Sequence, residues 1–147
     1  KEVDYIDGTI ILNKDMVGQT IFDENIFIYF ETMDLCKRLI QKNIRLYAMD
    51  QITFKHYGSQ SHNKRYNHHA QLSRCWHYNW SKFYYFKKNF GYFFALKKIF
   101  PNFIRALKKM IISLIFGKKK DFKLYKAELL GILTSVLNKS SDFRPFE

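Results

Sequence analysis

The sequence changes character at Glu31, and this change determines where the first long helix can begin. Residues 27–30, Phe-Ile-Tyr-Phe, form a continuous apolar run. From Glu31 onward the apolar residues recur at helical spacing, while Glu31, Asp34 and Arg38 share a different face at i, i+3 and i+7. The pattern predicts a carboxylate-bearing helix that starts directly after an aromatic floor. Its apolar arc comprises Met33, Cys36, Leu39 and Ile40.

The same stretch concentrates negative charge in a basic protein. Four of the 13 acidic residues lie within residues 23–34, whereas the formal net charge is +12. A carboxylate beside aromatic walls is partly desolvated, which raises its proton affinity and suits it to act as a base or to hold a metal cation. Acidic residues in a first helical turn also stabilise a helix through its macrodipole, and Asp34 and Arg38 form an i,i+4 pair. Both interpretations stay open from the residues alone.

Composition narrows the protein class. A chain of 147 residues supports one modest core, and an aromatic content of 18% argues against disorder over most of its length. Two cysteines, Cys36 and Cys75, are too few for a disulfide framework, so we interpret both as reduced thiols in a cytosolic compartment. The longest candidate for a spanning segment, residues 110–116, is far shorter than the roughly 18 residues of a spanning helix. We expect a cytoplasmic protein, with any membrane contact peripheral on the inner face.

Local patterns predict short strands and longer helices. Strands are expected where β-branched and aromatic residues cluster, around a turn at Asp7-Gly8 and after the Glu31 helix. Helices are expected where apolar residues follow a 3.6-residue period. The predicted strands are 3–5, 9–12, 44–49 and 52–55, and the predicted helices are 13–18, 31–43, one starting at residue 70, 101–116 and 122–138.

Two stretches of the sequence resemble one enzyme family. Residues 22–39 resemble the acceptor-side motif of family 2 glycosyltransferases of the rhamnosyltransferase-like group, which typically read F-D-E-x-F-F-x-Y-x-E-D-x-D-L-C-x-R-L. Residues 74–88 are similar to the H-Y-x-W-S-K-x-Y-F-x-K-K helix of the same group. The resemblance implies an α/β fold, the C-terminal half of a GT-A (Rossmann-like) domain. We therefore expect residues 1–90 to form the acceptor-side half of the catalytic domain and residues 91–147 a basic amphipathic helical tail.

The resemblance also implies a reaction. It predicts inverting transfer of a sugar from a nucleotide-diphosphate donor to a polysaccharide or lipid-linked acceptor in cell-envelope glycan synthesis. The donor-binding half, with its metal-gripping D-x-D motif, is not contained in this sequence, so the chain alone is expected to be inactive. The divalent metal, Mn²⁺ or Mg²⁺, is expected mostly in that half.

The residue expected to be the catalytic base is replaced by a threonine in this chain. In the family, the Asp of the Glu-Asp pair removes the proton from the acceptor hydroxyl, and Thr32 occupies that position here. A threonine hydroxyl cannot serve as a base near neutral pH. The role therefore passes to Glu31 or, second, to Asp34, or the chain is inactive.

Other site residues follow from the resemblance. His56 matches a histidine that helps to hold the metal near the donor diphosphate, as a neutral imidazole can. Trp80 lies in an aromatic stripe on a predicted helix, which serves either as core or as an acceptor platform. The resemblance assigns to the acceptor side Gly8, Asp23, Glu24, Thr32 and Trp80.

The tail permits two interpretations. A helix over 101–116 places apolar residues on one face and cations opposite, and Lys118-Lys119-Lys120 follow it. Such a helix either packs on the catalytic half or lies in the headgroup region of a membrane, so peripheral contact is expected through 101–120. The alternative function is a non-catalytic basic module, membrane-peripheral or nucleic-acid-binding. Nucleic acid is not an expected partner, because no RRM or KH signature is found.

Overall fold

The computed structural model describes residues 1–6, 9–18, 21–49, 51, 53, 55 and 66–144. A short α/β part at the N-terminus leads into three long helices. The elements in chain order are β1 (Glu2–Val3), α1 (Lys14–Val17), α2 (Glu31–Gln41), β2 (Leu46–Tyr47), α3 (Asn67–Phe90), α4 (Tyr92–Ile115) and α5 (Lys119–Val136).

Helices α3, α4 and α5 form a bundle. Gly91 alone joins α3 to α4, and its φ of +91° is one that glycine adopts without strain. The two helices are antiparallel, since Phe86 meets Phe94 near this turn while Lys82 reaches Asn102 farther from it. Helix α5 returns parallel to α3, because contacts pair Trp76 with Gly131, Trp80 with Ser135 and Lys87 with Asn138.

Small residues allow the helices of the bundle to approach closely. A Cβ on Gly131 would lie 2.3 Å from the carbonyl oxygen of Trp76, so α5 rests directly on the backbone of α3. Ala95 and Ala106 on α4 are fully buried. Around these close contacts, the core is filled by Phe83, Ile99 and Ile132 and by Trp76, Trp80 and Ala127.

The N-terminal part packs on α2. Strands β1 and β2 pair antiparallel, with Glu2 opposite Tyr47 and Val3 opposite Leu46. Helix α1 is capped by Asn13, whose side chain accepts a hydrogen bond from the Asp15 amide. The cluster beneath these elements consists of Val17, Leu35, Cys36, Leu39 and Leu46.

The predicted Rossmann-like α/β fold, the C-terminal half of a GT-A domain, is wrong. Long helices dominate the structure, and the described residues contain a single sheet of two short strands. Residues 9–12 and 44–45 form irregular chain beside α2, and their apolar side chains Ile10, Leu12 and Ile44 pack on its core cluster. β-branched residues indicate that a segment is partly buried, and an irregular segment can bury them as well as a strand can. The predicted strand 52–55 lies partly outside the described residues.

Helix boundaries differ in detail from the predicted ones. Helix α4 starts at Tyr92, so Pro101 lies inside it rather than in its first turn. The proline removes one backbone hydrogen bond, to the Lys97 carbonyl, and the helix continues because Ile99 and Ala106 are buried on either side. The expected domain boundary falls at the Gly91 turn, and α3 shares its core with α4 and α5. The division into domains stays a prediction.

Among the helices of the described chain, none combines the length and the hydropathy that a bilayer crossing requires.

Candidate functional site

Residues 27–30 form the aromatic floor that the sequence predicts, and α2 begins at Glu31 as expected. The segment lies across α3, where the Ile28 carbonyl accepts a 2.8 Å hydrogen bond from the Ser81 hydroxyl. Rings on the segment meet rings on α3 at centroid distances of 4.7–5.6 Å. The pairs are Phe27 with His77, Tyr29 with Tyr78, and Phe30 with Tyr78 and Tyr85.

The backbone is strained immediately before Glu31. Tyr29 and Phe30 both have a φ of +66°, in the left-handed region that bulky residues rarely occupy. Each such residue costs on the order of 1–3 kcal/mol and persists only where its surroundings impose it. Here the ring contacts with α3 impose it. The strained pair therefore fixes the direction in which α2 leaves the aromatic floor.

Asp34 is fully buried and neutralised by two cations. Its side chain is 0% exposed, and Arg38 Nε lies 2.8 Å from Oδ2. Lys88 Nζ lies 2.8 Å from both carboxylate oxygens. Asn89 Nδ2 adds a longer contact of 3.4 Å to Oδ1. Both oxygens of Asp34 are therefore occupied by donors.

Asp23 is held by the same lysine. Its Oδ2 accepts hydrogen bonds from Lys88 Nζ at 2.8 Å and from the Tyr84 hydroxyl at 3.0 Å, and its Oδ1 accepts from the amide and side chain of Asn25. Burial alone would raise the pKa of Asp23, but the hydrogen bonds from Lys88 and Asn25 outweigh it and lower the pKa from 3.8 to about 2. Asp23 is thus a fixed anion at neutral pH.

Lys88 is the residue that joins the two motifs. Burial alone would lower its pKa, but the hydrogen bonds to Asp23 and Asp34 outweigh it and raise the pKa above its usual range. We call this arrangement the Asp23–Lys88–Asp34 bridge. It ties the corner at residues 23–25 and helix α2 to α3.

Glu31 differs from these two acids. It is half-buried, and its Oε2 is shielded from solvent without a hydrogen-bond partner among the described residues. Burial raises the pKa of the neighbouring Tyr29 hydroxyl, Arg74 opposes this rise, and Cys75 and Glu31 add to it. Thr32, next along α2, is also half-buried.

A cavity of about 450 Å³ lies beside the 23–25 corner. Trp80 forms a buried part of its wall: its ring stacks on Tyr84 with centroids 5.0 Å apart, and its indole N–H donates to the Lys139 carbonyl. Acidic, basic and amide side chains surround the opening. The walls include Glu24, Asn25, Phe27, Lys87, Asn138 and Asp142.

One side of the cavity is closed by residues 139–144, which His77 anchors to α3. Its Nε2 lies 2.9 Å from the Phe143 carbonyl and its Nδ1 lies 2.9 Å from the Ser141 hydroxyl. Burial lowers the pKa of His77, the Phe143 carbonyl opposes this, and Arg144 adds to it. A neutral imidazole that donates from Nε2 and accepts at Nδ1 satisfies both bonds.

The structure brings some of the predicted site residues together and separates others. Asp23 and Asp34 meet through Lys88, while Glu24 and Trp80 line the cavity. Glu31 and Thr32 lie in the first turn of α2 and are not among the residues that line it.

The structure does not test the predicted metal ligand His56. His56, like Gly8, lies outside the described residues. In the part of the chain that is described, no three His, Cys, Asp or Glu side chains are grouped closely enough to hold a metal ion. The divalent metal stays a prediction.

For several residues of this region, the sequence does not indicate the contacts that they make at the site. Lys88 stands 54 residues from Asp34, and Lys87-Lys88 reads as an ordinary basic helix end. Tyr84 and His77 sit in an aromatic-rich helix whose stripe gives no hint of a polar partner. In the sequence, Asp34 already has a cationic partner in Arg38 at i+4, so nothing indicates that a second cation binds it.

Comparisons with models of protein families, with curated proteins and with solved structures found no match to this chain.

Proposed function

We propose that the chain is the acceptor-side part of a sugar-transferring enzyme in which Glu31 accepts the proton of the acceptor hydroxyl. One observation carries the proposal. Of the four acidic residues in the motif at 22–39, Asp23 and Asp34 are saturated by donors and Glu24 is exposed to solvent, whereas Glu31 has a shielded oxygen without a partner among the described residues. A general base needs a free lone pair within reach of the proton it removes.

The surroundings of Glu31 support this assignment. The strained backbone at residues 29–30 fixes the start of α2, and the bridge through Lys88 holds Asp34 in the same first turn. A base held in this way loses little freedom on meeting its substrate. The two features supply a rigid first turn with one unoccupied carboxylate oxygen.

The reaction that follows is a displacement. The acceptor oxygen forms a bond to the anomeric carbon of the donor sugar, its proton passes to Glu31, and the bond from the anomeric carbon to the diphosphate breaks. The nucleoside diphosphate leaves and the anomeric centre inverts. A divalent metal in the donor-binding part would stabilise the charge of the leaving diphosphate. The donor-binding residues are expected outside this chain.

The cavity suits further sugar units of an extended acceptor. The rings of Tyr84 and Phe27 offer apolar surface to a sugar face, and Glu24, Asn25 and Asn138 offer hydrogen bonds to hydroxyl groups. The mixture of both charge signs with neutral amides favours an uncharged polyol over a strongly charged ligand.

The test measures sugar transfer by the protein that the longest open reading frame containing this chain encodes. A panel of nucleotide-diphosphate sugars is supplied with oligosaccharide and lipid-linked acceptors, and product is detected by mass spectrometry. Glu31→Gln is expected to lower kcat by about 10²–10⁴-fold, the range for loss of a general base. Glu2→Gln, an exposed matched control, is expected to retain full turnover. Full turnover in Glu31→Gln, or no transfer from any donor, would contradict the proposal.

A further inference from the structure

Helix α4 carries apolar side chains on the face that points away from the bundle. Ala95, Ile99, Ala106 and Ser113 are buried against the other helices. At about 100° per residue, the opposite side of the helix runs through positions 93, 100, 111 and 115. We call these residues the outer stripe, and their exposed fractions are 85% for Phe93, 61% for Phe100, 48% for Ile111 and 72% for Ile115.

The outer stripe is too long to be an incidental surface feature. It extends along a helix of 24 residues, or about 36 Å. At its C-terminal end Leu114 and Phe116 are also exposed, by 65% and 70%. A surface helix that faces only water carries polar residues on its outward face. Large contiguous apolar surface rimmed by polar residues marks a site of contact with a partner or a membrane.

The charge around the outer stripe identifies the partner. Helix α4 contains five basic residues and no acidic one. By the same count, Lys97 and Lys108 lie on this outward face at nearly the same angle as Ile115 and are exposed, so their stems can follow its apolar surface while the ammonium groups extend past it to the water side. The turn at Gly117 then brings three exposed lysines, residues 118–120, next to the apolar end of the helix.

These three lysines oppose the stability of their own helix. They occupy the N-cap and first two positions of α5, where the helix dipole favours anions. Their charge therefore serves something other than the helix itself. An anionic surface that meets Leu114, Ile115 and Phe116 would also meet these lysines.

We propose that α4 lies in the plane of an anionic lipid surface, with the outer stripe among the acyl chains and Lys97, Lys108 and Lys118–Lys120 on the headgroups. A helix of this type binds through buried apolar area together with attraction to anionic lipid. The inference is independent of Glu31, and it would place an acceptor-binding chain at a surface where lipid-linked acceptors are found.

The test is flotation of the whole chain with vesicles. Phosphatidylcholine vesicles are compared with vesicles in which about one-third of the lipid is phosphatidylglycerol, at low and at physiological salt. We expect the chain to float with the anionic vesicles and to do so less at the higher salt.

Matched variants separate the two contributions. Lys119→Gln/Lys120→Gln is expected to lower the partition coefficient about thirtyfold, from about 1 kcal/mol for each lysine. Its control, Lys14→Gln/Lys42→Gln, removes two exposed lysines of the N-terminal part and is expected to change little. Ile115→Gln is expected to lower partition by about tenfold, whereas Ile11→Gln, equally exposed at 72%, leaves it unchanged.

Several results would overturn the inference. These are no flotation with anionic vesicles, flotation that neither α4-end variant weakens, and vesicle binding that single-stranded DNA abolishes at physiological salt. A dimer in analytical ultracentrifugation that Ile115→Gln dissociates, without recruitment to vesicles, would assign the stripe to a second copy of the chain instead.

Discussion

Glu31 and Asp34 share one face of α2, yet their side chains have opposite surroundings. Asp34 sits between Arg38 and Lys88 with no exposed surface, while Glu31 keeps an oxygen without a partner among the described residues. The helical spacing in the sequence predicts the shared face. It cannot predict the difference, because that depends on a lysine contributed by a helix far along the chain.

Removal of the Asp34 charge is expected to destabilise the fold. Asp34→Asn leaves Arg38 and Lys88 with a weakened partner at a buried position, which costs about 3 kcal/mol in the free energy of unfolding. Urea denaturation followed by circular dichroism measures this. Asp4→Asn, at an exposed position, is the control and should unfold like the wild type. Equal midpoints for Asp34→Asn and wild type would show that the bridge contributes nothing.

His77 is expected to make stability depend on pH. Burial lowers its pKa below 6.5 in the folded chain, so the unfolded chain binds a proton first as pH falls. The stabilisation is complete above pH 6.5 and is lost as pH falls from there through the folded pKa. Thermal melts from neutral pH to about pH 5 should show a falling melting temperature.

His77→Gln is the matched variant for this titration. Its amide can donate to the Phe143 carbonyl and accept from Ser141, but it carries no proton equilibrium. The variant's melting temperature should vary less over the same pH range. An identical slope in the two proteins would exclude His77 as its source.

At the scale of elements, the sequence predicted the helices better than the strands. The start of α2 at Glu31 is confirmed. The periodicity of the tail also identified both later helices: α4 starts nine residues before the predicted start at 101, and α5 covers 119–136 where 122–138 was predicted. The start of α4 was predicted too late because proline is common in a first helical turn. Here the helix continues past Pro101 because residues on both sides of it are packed in the core. Of the predicted strands, 44–49 contains β2 and 3–5 overlaps β1 at Val3. The predicted strand 9–12 is not formed, because Ile10 and Leu12 are buried against the α2 cluster without strand pairing.

The contact between α3 and α5 depends on one glycine. In an unobstructed helix, alanine in place of glycine stabilises by about 1 kcal/mol. At Gly131 the added Cβ would lie 2.3 Å from the Trp76 carbonyl oxygen, so Gly131→Ala should destabilise by about 2–3 kcal/mol instead. Thermal denaturation gives the sign directly. Lys126→Ala, exposed on the same helix, should be near neutral, and a stabilised Gly131→Ala would mean that α5 does not approach α3 so closely.

At the scale of the molecule, a small N-terminal part is tied to a three-helix bundle at two places. The aromatic floor lies across α3, and the Asp23–Lys88–Asp34 bridge holds α2 to the same helix. Sequence reasoning found the motif at 22–39 and the α3 stretch at 74–88 separately. The physical reason that they belong together, one lysine between two carboxylates, required the structure. The overall architecture was missed because local patterns specify burial, whereas the arrangement of helices depends on contacts such as Gly131 on Trp76.

In the proposed site, Glu31 is the catalytic base and Asp34 stabilises the fold. The most direct test compares turnover and stability for Glu31→Gln and Asp34→Asn, each made in the encoded protein that shows transfer. We predict that Glu31→Gln loses kcat by at least about a hundredfold at an unchanged melting temperature. Asp34→Asn should melt at a lower temperature and, where it is folded, lose much less turnover than Glu31→Gln. Loss of turnover in Asp34→Asn at an unchanged melting temperature, with Glu31→Gln still active, would contradict these roles of the two acids.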